Sequence, residues 1–355
     1  MICYFQPRYK SLLIESLQMK KIIVTGGAGF IGSHTVVELI NEGYTPVIVD
    51  DFSNTDERIL SGLAKILGTI PTFYRVDCAD RSAMSKIFND EKPNAIIHFA
   101  AFKAVGESVE QPLKYYRNNI SSLLTVLELM PEHNVQTLVF SSSCTIYGQP
   151  DRLPVDENMP EQPTSSPYGY SKQMGERILK DFQIANPTTN IALLRYFNPI
   201  GAHHTGFIGE LPNGIPNNLV PYITQTAAGI RDQLIVYGDD YNTPDGSCMR
   251  DFIHIKDLAM AHVRALDWLM KCDGICEAFN LGQGKGNTVL EVIETFEKVN
   301  NLKLKYKIGP RRIGDIEQIF ANATKAEKVL NWKTQLSLDE ALKDAWRWQQ
   351  QLPML

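Results

Sequence analysis

The stretch Lys21-Ile-Ile-Val-Thr-Gly-Gly-Ala-Gly-Phe-Ile-Gly32 constrains the fold more than any other part of this 355-residue chain. A β-branched run leads into Gly26-x-x-Gly29-x-x-Gly32, and a helical pattern carrying Val37, Leu39 and Ile40 follows. Each glycine meets a separate steric demand: a tight turn out of the strand, close approach of backbone to a ligand, and packing of the helix on the strand. The helix start also presents free N–H groups, which suits a pyrophosphate. A glycine triplet alone is weak. Here a strand precedes it, a helix follows, and a second strand ends in a carboxylate, Asp50, so the dinucleotide reading is specific. Asp50 can accept hydrogen bonds from ribose hydroxyls and would repel a 2′-phosphate, so NAD is expected rather than NADP.

Short apolar runs recur along the chain at Ile22–Val24, Val47–Val49, Ala95–Ile97, Leu138–Phe140 and Ile191–Leu194, with helix-patterned segments between them. Runs that are apolar on both faces read as buried parallel strands, and their alternation with helices predicts an α/β, Rossmann-type doubly wound parallel sheet. After Phe197 the chain turns rich in Gly, Pro, Asn and His. The expected organisation is an extension over 1–18, ending before Met19 and disordered, then a NAD-binding domain over 19–197, then a smaller mixed α/β substrate domain over 198–355. The crevice between the two domains is the expected ligand site.

Composition narrows the partners. With 44% hydrophobic and 21% charged residues and a net charge of −5, the chain reads as a globular enzyme with no electrostatic grip on nucleic acid or an anionic membrane. Six scattered cysteines form no Cys-x-x-Cys pair and no metal spacing, which suits reduced thiols in the cytoplasm. No apolar run reaches the roughly 20 residues of a membrane helix, and no metal is expected.

The chemistry is carried by Ser143, Tyr168 and Lys172. Ser143 lies at the carboxyl end of the fifth apolar run counted with the third strand region, which ends near Asp77. Among fourteen tyrosines only Tyr168 has a lysine four residues on, a spacing that puts both side chains on one helix face. A phenol with its ordinary pKa of about 10 is a poor base at neutral pH. A nearby ammonium and a positive nicotinamide ring would lower it, by about 4 kcal/mol for roughly 3 units. Tyr168 could then take a hydroxyl proton while hydride leaves the same carbon, with Ser143 holding the oxygen. Asp77, placed for an adenine amino group, and Lys103, at the exit of the next strand, complete the residues read directly.

These features resemble the extended short-chain dehydrogenase/reductase family, and within it the UDP-hexose 4-epimerases. The likeness runs from Lys21 to Trp348. It is strongest at Gly26-Gly-Ala-Gly-Phe-Ile-Gly-Ser-His34, Lys103-Ala-Val-Gly-Glu-Ser108, Ser141-Ser-Ser143, Ser166-Pro-Tyr-Gly169, Leu194-Arg-Tyr-Phe-Asn-Pro199, Gly214-Ile-Pro-Asn-Asn-Leu219, Arg250-Asp-Phe-Ile-His254 and Pro310-Arg-Arg-Ile-Gly-Asp315. The resemblance implies Ser143, Tyr168 and Lys172 as the catalytic set. It implies NAD contacts at Gly26, Gly29, Phe30, Ile31, Gly32, Asp50, Asn54, Asp77, Cys78, Lys103, Asn118, Tyr168, Lys172 and Tyr196. UDP-sugar contacts are implied at Ser143, Asn198, Asn218, Leu219, Arg250, Arg312 and Asp315, where two arginines can fork onto a pyrophosphate. The implied reaction is reversible inversion at C4 of UDP-glucose and UDP-galactose through a 4-keto sugar, with NAD retained and no net redox change. A homodimer is implied as well, for which the sequence offers only apolar positions such as Leu123, Leu124 and Leu127.

Three positions depart from the family pattern. Asp51 stands where Asn is common, Phe30 where Tyr is common, and Ile319 at a position whose size influences entry of N-acetylated sugars. An alternative substrate, an N-acetylated UDP-hexosamine or a UDP-uronate, therefore stays open. Dehydratases of the family place an Asp–Glu pair after the Ser/Thr position, whereas Cys144 and Thr145 stand here and cannot supply acid and base. A non-catalytic NAD-binding relative would lack the Tyr/Lys pair.

Overall fold

A computed structural model describes residues 19–212, 214–312 and 315–352; the expected extension over 1–18 lies outside the described residues. The chain begins with β1 (Lys21–Thr25), α1 (Phe30–Asn41), β2 (Thr45–Asp50), α2 (Arg58–Leu67), β3 (Phe73–Arg75), α3 (Arg81–Glu91) and β4 (Ala95–His98). It continues through α4 (Val105–Glu110), α5 (Pro112–Glu132), β5 (Thr137–Ser143), a 3-10 turn at Cys144–Tyr147, α6 (Pro167–Ala185), β6 (Asn190–Tyr196) and β7 (Asn198–Ile200). Then come α7 (Leu219–Ala227), β8 (Leu234–Tyr237), β9 (Met249–Arg250), β10 (Phe252–His254), α8 (Ile255–Leu269) and β11 (Ile275–Leu281). The last elements are β12 (Asn287–Thr288), α9 (Val289–Asn300), β13 (Tyr306–Gly309), β14 (Gln318–Ile319), α10 (Thr324–Leu330) and α11 (Leu338–Gln351).

Seven strands form one sheet in the order β11-β6-β5-β4-β1-β2-β3, every neighbouring pair parallel. The parallel arrangement follows from burial on both faces. Ile22 and Val24 join a cluster with Val36, Leu39 and Leu258 on one side, while Ile23, Val47 and Val49 join Ile87, Phe88 and Val126 on the other. Removing one such side chain from water stabilises the fold by about 1.5–3 kcal/mol, enough to override weak local propensity. Chain order reverses between β1 and β4, and an open α/β sheet offers its ligand crevice at that point, beyond the strands' carboxyl ends.

The sheet does not end at residue 197. Its seventh strand, β11, returns from the later half and pairs along the whole of β6, from Ile275↔Asn190 to Leu281↔Tyr196. Helix α8, with Leu258 and Leu266, also packs on the sheet, while another part of the later half has its own core around Ile200, Val220, Phe252, Val292 and Leu342. A three-stranded ribbon, β12-β9-β14, places Arg250 between Asn287 and Ile319. On α5, Leu123 and Leu127 are core residues and only Leu124 is exposed, so the three leucines do not share one outward face. Among the described residues no helix is long and apolar enough to cross a membrane.

Candidate active site

The glycine loop is a cradle that side chains would fill. A Cβ on Gly32 would lie 2.2 Å from the Gly26 carbonyl oxygen, and one on Gly26, where φ is +67°, would lie 2.8 Å from the Ala100 nitrogen. Helix α1 follows Gly29 with no capping side chain and no acidic residue in its first turn, so within the helix nothing neutralises its positive end. Asp50 closes the loop from the side, accepting from the Ala28 N–H at 3.0 Å and the Phe52 N–H at 2.9 Å. Burial nevertheless pushes its carboxyl up to about 6, against those two hydrogen bonds. Cys78 is buried close enough to feel the charge of Asp50 and Asp77. Lys103 lies 5.9 Å from the Phe30 ring centroid, over the loop. Asn118 is half-buried on α5, whereas Asn54 and Asp77 are exposed in turns, Asp77 accepting from the Ala79 N–H.

The catalytic helix starts where its sequence dictates. Ser166 caps α6 by accepting from the Gly169 N–H at 3.2 Å, and Pro167 occupies the first turn, where a missing N–H costs nothing. Tyr168 and Lys172 follow one turn apart, both buried. Strand β5 runs through Ser143 rather than stopping at Phe140, and the Ser143 hydroxyl reaches the Tyr168 phenol. Lys172 Nζ donates to the Ser141 carbonyl at 2.6 Å and lies 5.9 Å from the Tyr168 ring centroid. Tyr196, at the end of β6, hydrogen-bonds the Ser141 hydroxyl.

The electrostatics differ from the sequence expectation. Burial pushes the Tyr168 phenol up to about 12, only partly offset by the Ser143 hydrogen bond. Burial also depresses Lys172 to about 8. The lysine's hydrogen bond goes to backbone, not to the phenol, so these protein groups do not by themselves produce the lowered phenol. Desolvation disfavours both charged forms here, and an added positive charge would have to reverse it.

The arginines meet across loops. Arg312 donates to Asp315 Oδ1 at 2.9 Å, and Arg250 lies 3.7 Å from the same oxygen. Arg250 is near enough to lower the Cys144 thiol, which burial otherwise pushes up to about 12, and Cys144 directly follows Ser143. Asn218 caps α7 and Leu219 opens it. Asn198 starts β7 and donates to the Asp251 carbonyl at 3.4 Å. Ile319 is buried in one cluster with Cys144 and Phe197, immediately beside the residues that follow Ser143 and precede Asn198.

The model of the NAD dependent epimerase/dehydratase family matches residues 22–282. The chain belongs to that family. It is 50% identical over 330 residues to the UDP-glucose 4-epimerase of Neisseria meningitidis serogroup B, covering 93% of this chain and 97% of that one. Among solved structures it is similar to the UDP-glucose 4-epimerase of Bifidobacterium longum in complex with NAD+ and UDP, with TM-score 0.91, 45% identity, and coverage of 94% and 99%. It is similar also to that of Stenotrophomonas maltophila with bound NAD and formylated UDP-arabinopyranose, with TM-score 0.92, 44% identity, and coverage of 95% and 99%.

Three residues that contact the expected site residues escaped the sequence reading. Asn119 accepts from the Phe102 N–H at 2.8 Å and donates to the Phe102 carbonyl and to Ser171 Oγ, tying the Lys103 loop to the catalytic helix. Tyr237, at the end of β8, offers an exposed aromatic face 5.5 Å from the Arg312 guanidinium. Glu210 bonds both Lys103 and Asn218. No spacing rule finds these, because each is defined by contacts between segments far apart in sequence. Only Tyr237-Gly238-Asp239, an aromatic leaving a strand into a turn, carries a faint local signal.

Proposed function

We propose that this chain interconverts UDP-glucose and UDP-galactose by reversible inversion at C4, with NAD retained through the cycle. The observation that carries the reading is the buried group of Ser143, Tyr168 and Lys172, with the serine hydroxyl acting to lower the phenol and Lys172 Nζ 5.9 Å from the phenol ring centroid. The cradle fits NAD: its two crowded glycines leave no room for side chains, the α1 start is uncapped, and Asp50 stands where a ribose would lie. Asp50 and Lys103 would hold the cofactor, helped by the α1 N–H groups, and Tyr196 and Lys172 would serve its nicotinamide end. When bound, NAD supplies a hydride acceptor that later returns the hydride, and a positive ring that offsets the burial cost of a Tyr168 phenolate.

Tyr168 removes the C4 hydroxyl proton as the C4–H electron pair departs, leaving a 4-keto sugar. Ser143 hydrogen-bonds the reacting oxygen and the phenol together. Arg250 and Arg312 clamp the pyrophosphate, with Asp315 orienting both guanidiniums and free to accept from a ribose hydroxyl. Anchored at that end, the sugar presents its other face. Hydride return and reprotonation by Tyr168 then give the epimer. On this reading residues 19–197 serve mainly the cofactor and the catalytic step and the later residues mainly the UDP-sugar, with β11 of the later part completing the cofactor sheet.

We assign two further properties on the same footing. Val109, Leu113, Leu124 and Tyr170 expose apolar surface on α4, α5 and α6, which suits pairing with a second copy as a homodimer. Free thiols at Cys78, Cys144, Cys248, Cys272 and Cys276 suit the cytoplasm.

The test is to mix purified protein with UDP-galactose and resolve the nucleotide sugars by chromatography, following absorbance of reduced nicotinamide in parallel. UDP-glucose should form without accumulating NADH, and Tyr168→Phe should lose about 10²–10⁴-fold in kcat. Net NADH release, or a Tyr168→Phe protein at the unmodified rate, would overturn the reading. A parallel incubation with UDP-N-acetylglucosamine reads the room beside Ile319.

A further inference from the structure

We propose that Glu210 is a positioning residue through which the cofactor half and the substrate half of the site sense each other's occupancy. One carboxylate oxygen, Glu210 Oε1, accepts from Lys103 Nζ at 2.8 Å and from Asn218 Nδ2 at 2.7 Å. Lys103 belongs to the loop over the glycine cradle, 5.9 Å from Phe30. Asn218 caps α7 in the later half of the chain. The proposal rests on the functional reading above, in which these two residues face NAD and the UDP-sugar respectively.

The carboxylate is held by a third body. The Glu210 carbonyl accepts from Trp348 Nε1 at 2.9 Å, and Trp348 is buried on α11. The preceding residue must be glycine, because a Cβ on Gly209 would lie 2.5 Å from the Trp348 indole. Gly209 also bridges to Ala202, and the His203 N–H donates to the Ile208 carbonyl, so the loop that carries Glu210 is pinned at both sides. The glutamate side chain is only 10% exposed while that of Lys103 is 46% exposed. A fixed, shielded acceptor thus holds a longer, more mobile cation.

Two consequences follow from the chemistry. An ionised carboxylate only accepts, so it fixes the Asn218 amide with its NH2 group inward and leaves Oδ1 and the second N–H for a ligand. When a phosphate or ribose oxygen draws Lys103 toward the cofactor, the shared oxygen is released from its stronger partner and tightens on Asn218. A ligand on Asn218 acts in the reverse direction. Linkage makes the effect reciprocal: whatever UDP does to the hold on NAD, NAD does equally to the hold on UDP.

The experiment uses the full chain, stripped of nucleotide and reloaded with NADH, whose fluorescence reports its affinity with and without saturating UDP. In the wild type UDP is expected to change NADH affinity by about fivefold or more. Glu210→Ala should bring that ratio to within about twofold of unity, and Glu210→Gln, which keeps an acceptor oxygen but no charge, should fall between. A purely structural role would weaken both ligands and lower the melting temperature without changing the ratio. A wild-type ratio in a folded variant, or no UDP effect in the wild type, overturns the coupling. Should Glu210→Ala fail to fold, Glu210→Gln decides. A wild-type protein that binds neither NADH nor UDP overturns the functional reading itself, an outcome distinct from two ligands that bind independently.

Discussion

The cofactor half and the substrate half are held together by different physics. Around the catalytic helix the polar groups are buried and matched. Glu176 is fully buried, forks with Arg195 at 2.6 and 2.9 Å, and accepts from Ser142 Oγ at 2.6 Å. Ser142 precedes Ser143, Arg195 precedes Tyr196, and Glu176 lies one turn beyond Lys172, so the strands and helix that hold Ser143, Tyr168 and Lys172 are locked by the core. In the substrate half the Arg312 side chain is 57% exposed, and the arginines are gathered from short strands and loops. Water competes for the Arg312 contacts there, though Arg250 and Asp315 are largely shielded. The contrast implies that the chemistry is rigid because the fold requires it, while the grip on UDP can be retuned at little cost in stability.

The largest effect should come from breaking the buried pair. Glu176→Ala leaves Arg195 buried and charged with no carboxylate beside it, only the neutral Tyr147 hydroxyl and the Glu157 carbonyl, and should cost about 3–5 kcal/mol of stability by denaturant unfolding. A cost below 1 kcal/mol would erase the contrast. Next in size, Arg312→Ala should weaken UDP binding by about tenfold to a hundredfold, the worth of a charge-assisted hydrogen bond, while unfolding stays near wild type. Titration calorimetry beside a melting curve reads both, and a large loss of stability would put Arg312 in the same class as Glu176.

The smallest effect concerns Asp50. Folding raises its carboxyl to about 6, so it takes up a proton as pH falls through that value and gives up acceptor capacity toward ribose hydroxyls. NADH affinity should therefore be full above pH 6 and fall about threefold to tenfold below it. The same raised value means that ionising Asp50 in the fold opposes stability as pH climbs from its ordinary range to about 6. Asp50→Asn should flatten the binding profile, and an unchanged profile in that variant would detach Asp50 from the cofactor.

The same division explains what could be read before the structure. The glycine cradle, Asp50 and the Tyr168–Lys172 pair are each fixed by neighbours within a turn or a strand, so spacing reveals them. Strands β1, β2, β4, β5 and β6 are continuous apolar runs. The seventh strand was hidden because Glu277 and Asn280 interrupt its pattern; Asn280 is buried only by virtue of bonds to Tyr147 and Val155. Glu210 and Asn119 act across long sequence separations, which no period encodes. Spacing sets Lys172 beside Tyr168 but does not encode the desolvation that burial on α6 imposes on both groups, which the lysine alone does not offset.

The pairing of β11 with β6 bears on biosynthesis. Until residue 281 leaves the ribosome, the nucleotide-binding sheet carries a seven-residue open edge at Asn190–Tyr196, a template for misjoining with other nascent chains. The first half therefore completes its sheet only once the second supplies β11, and a fragment cut at 197 would keep the β6 edge open.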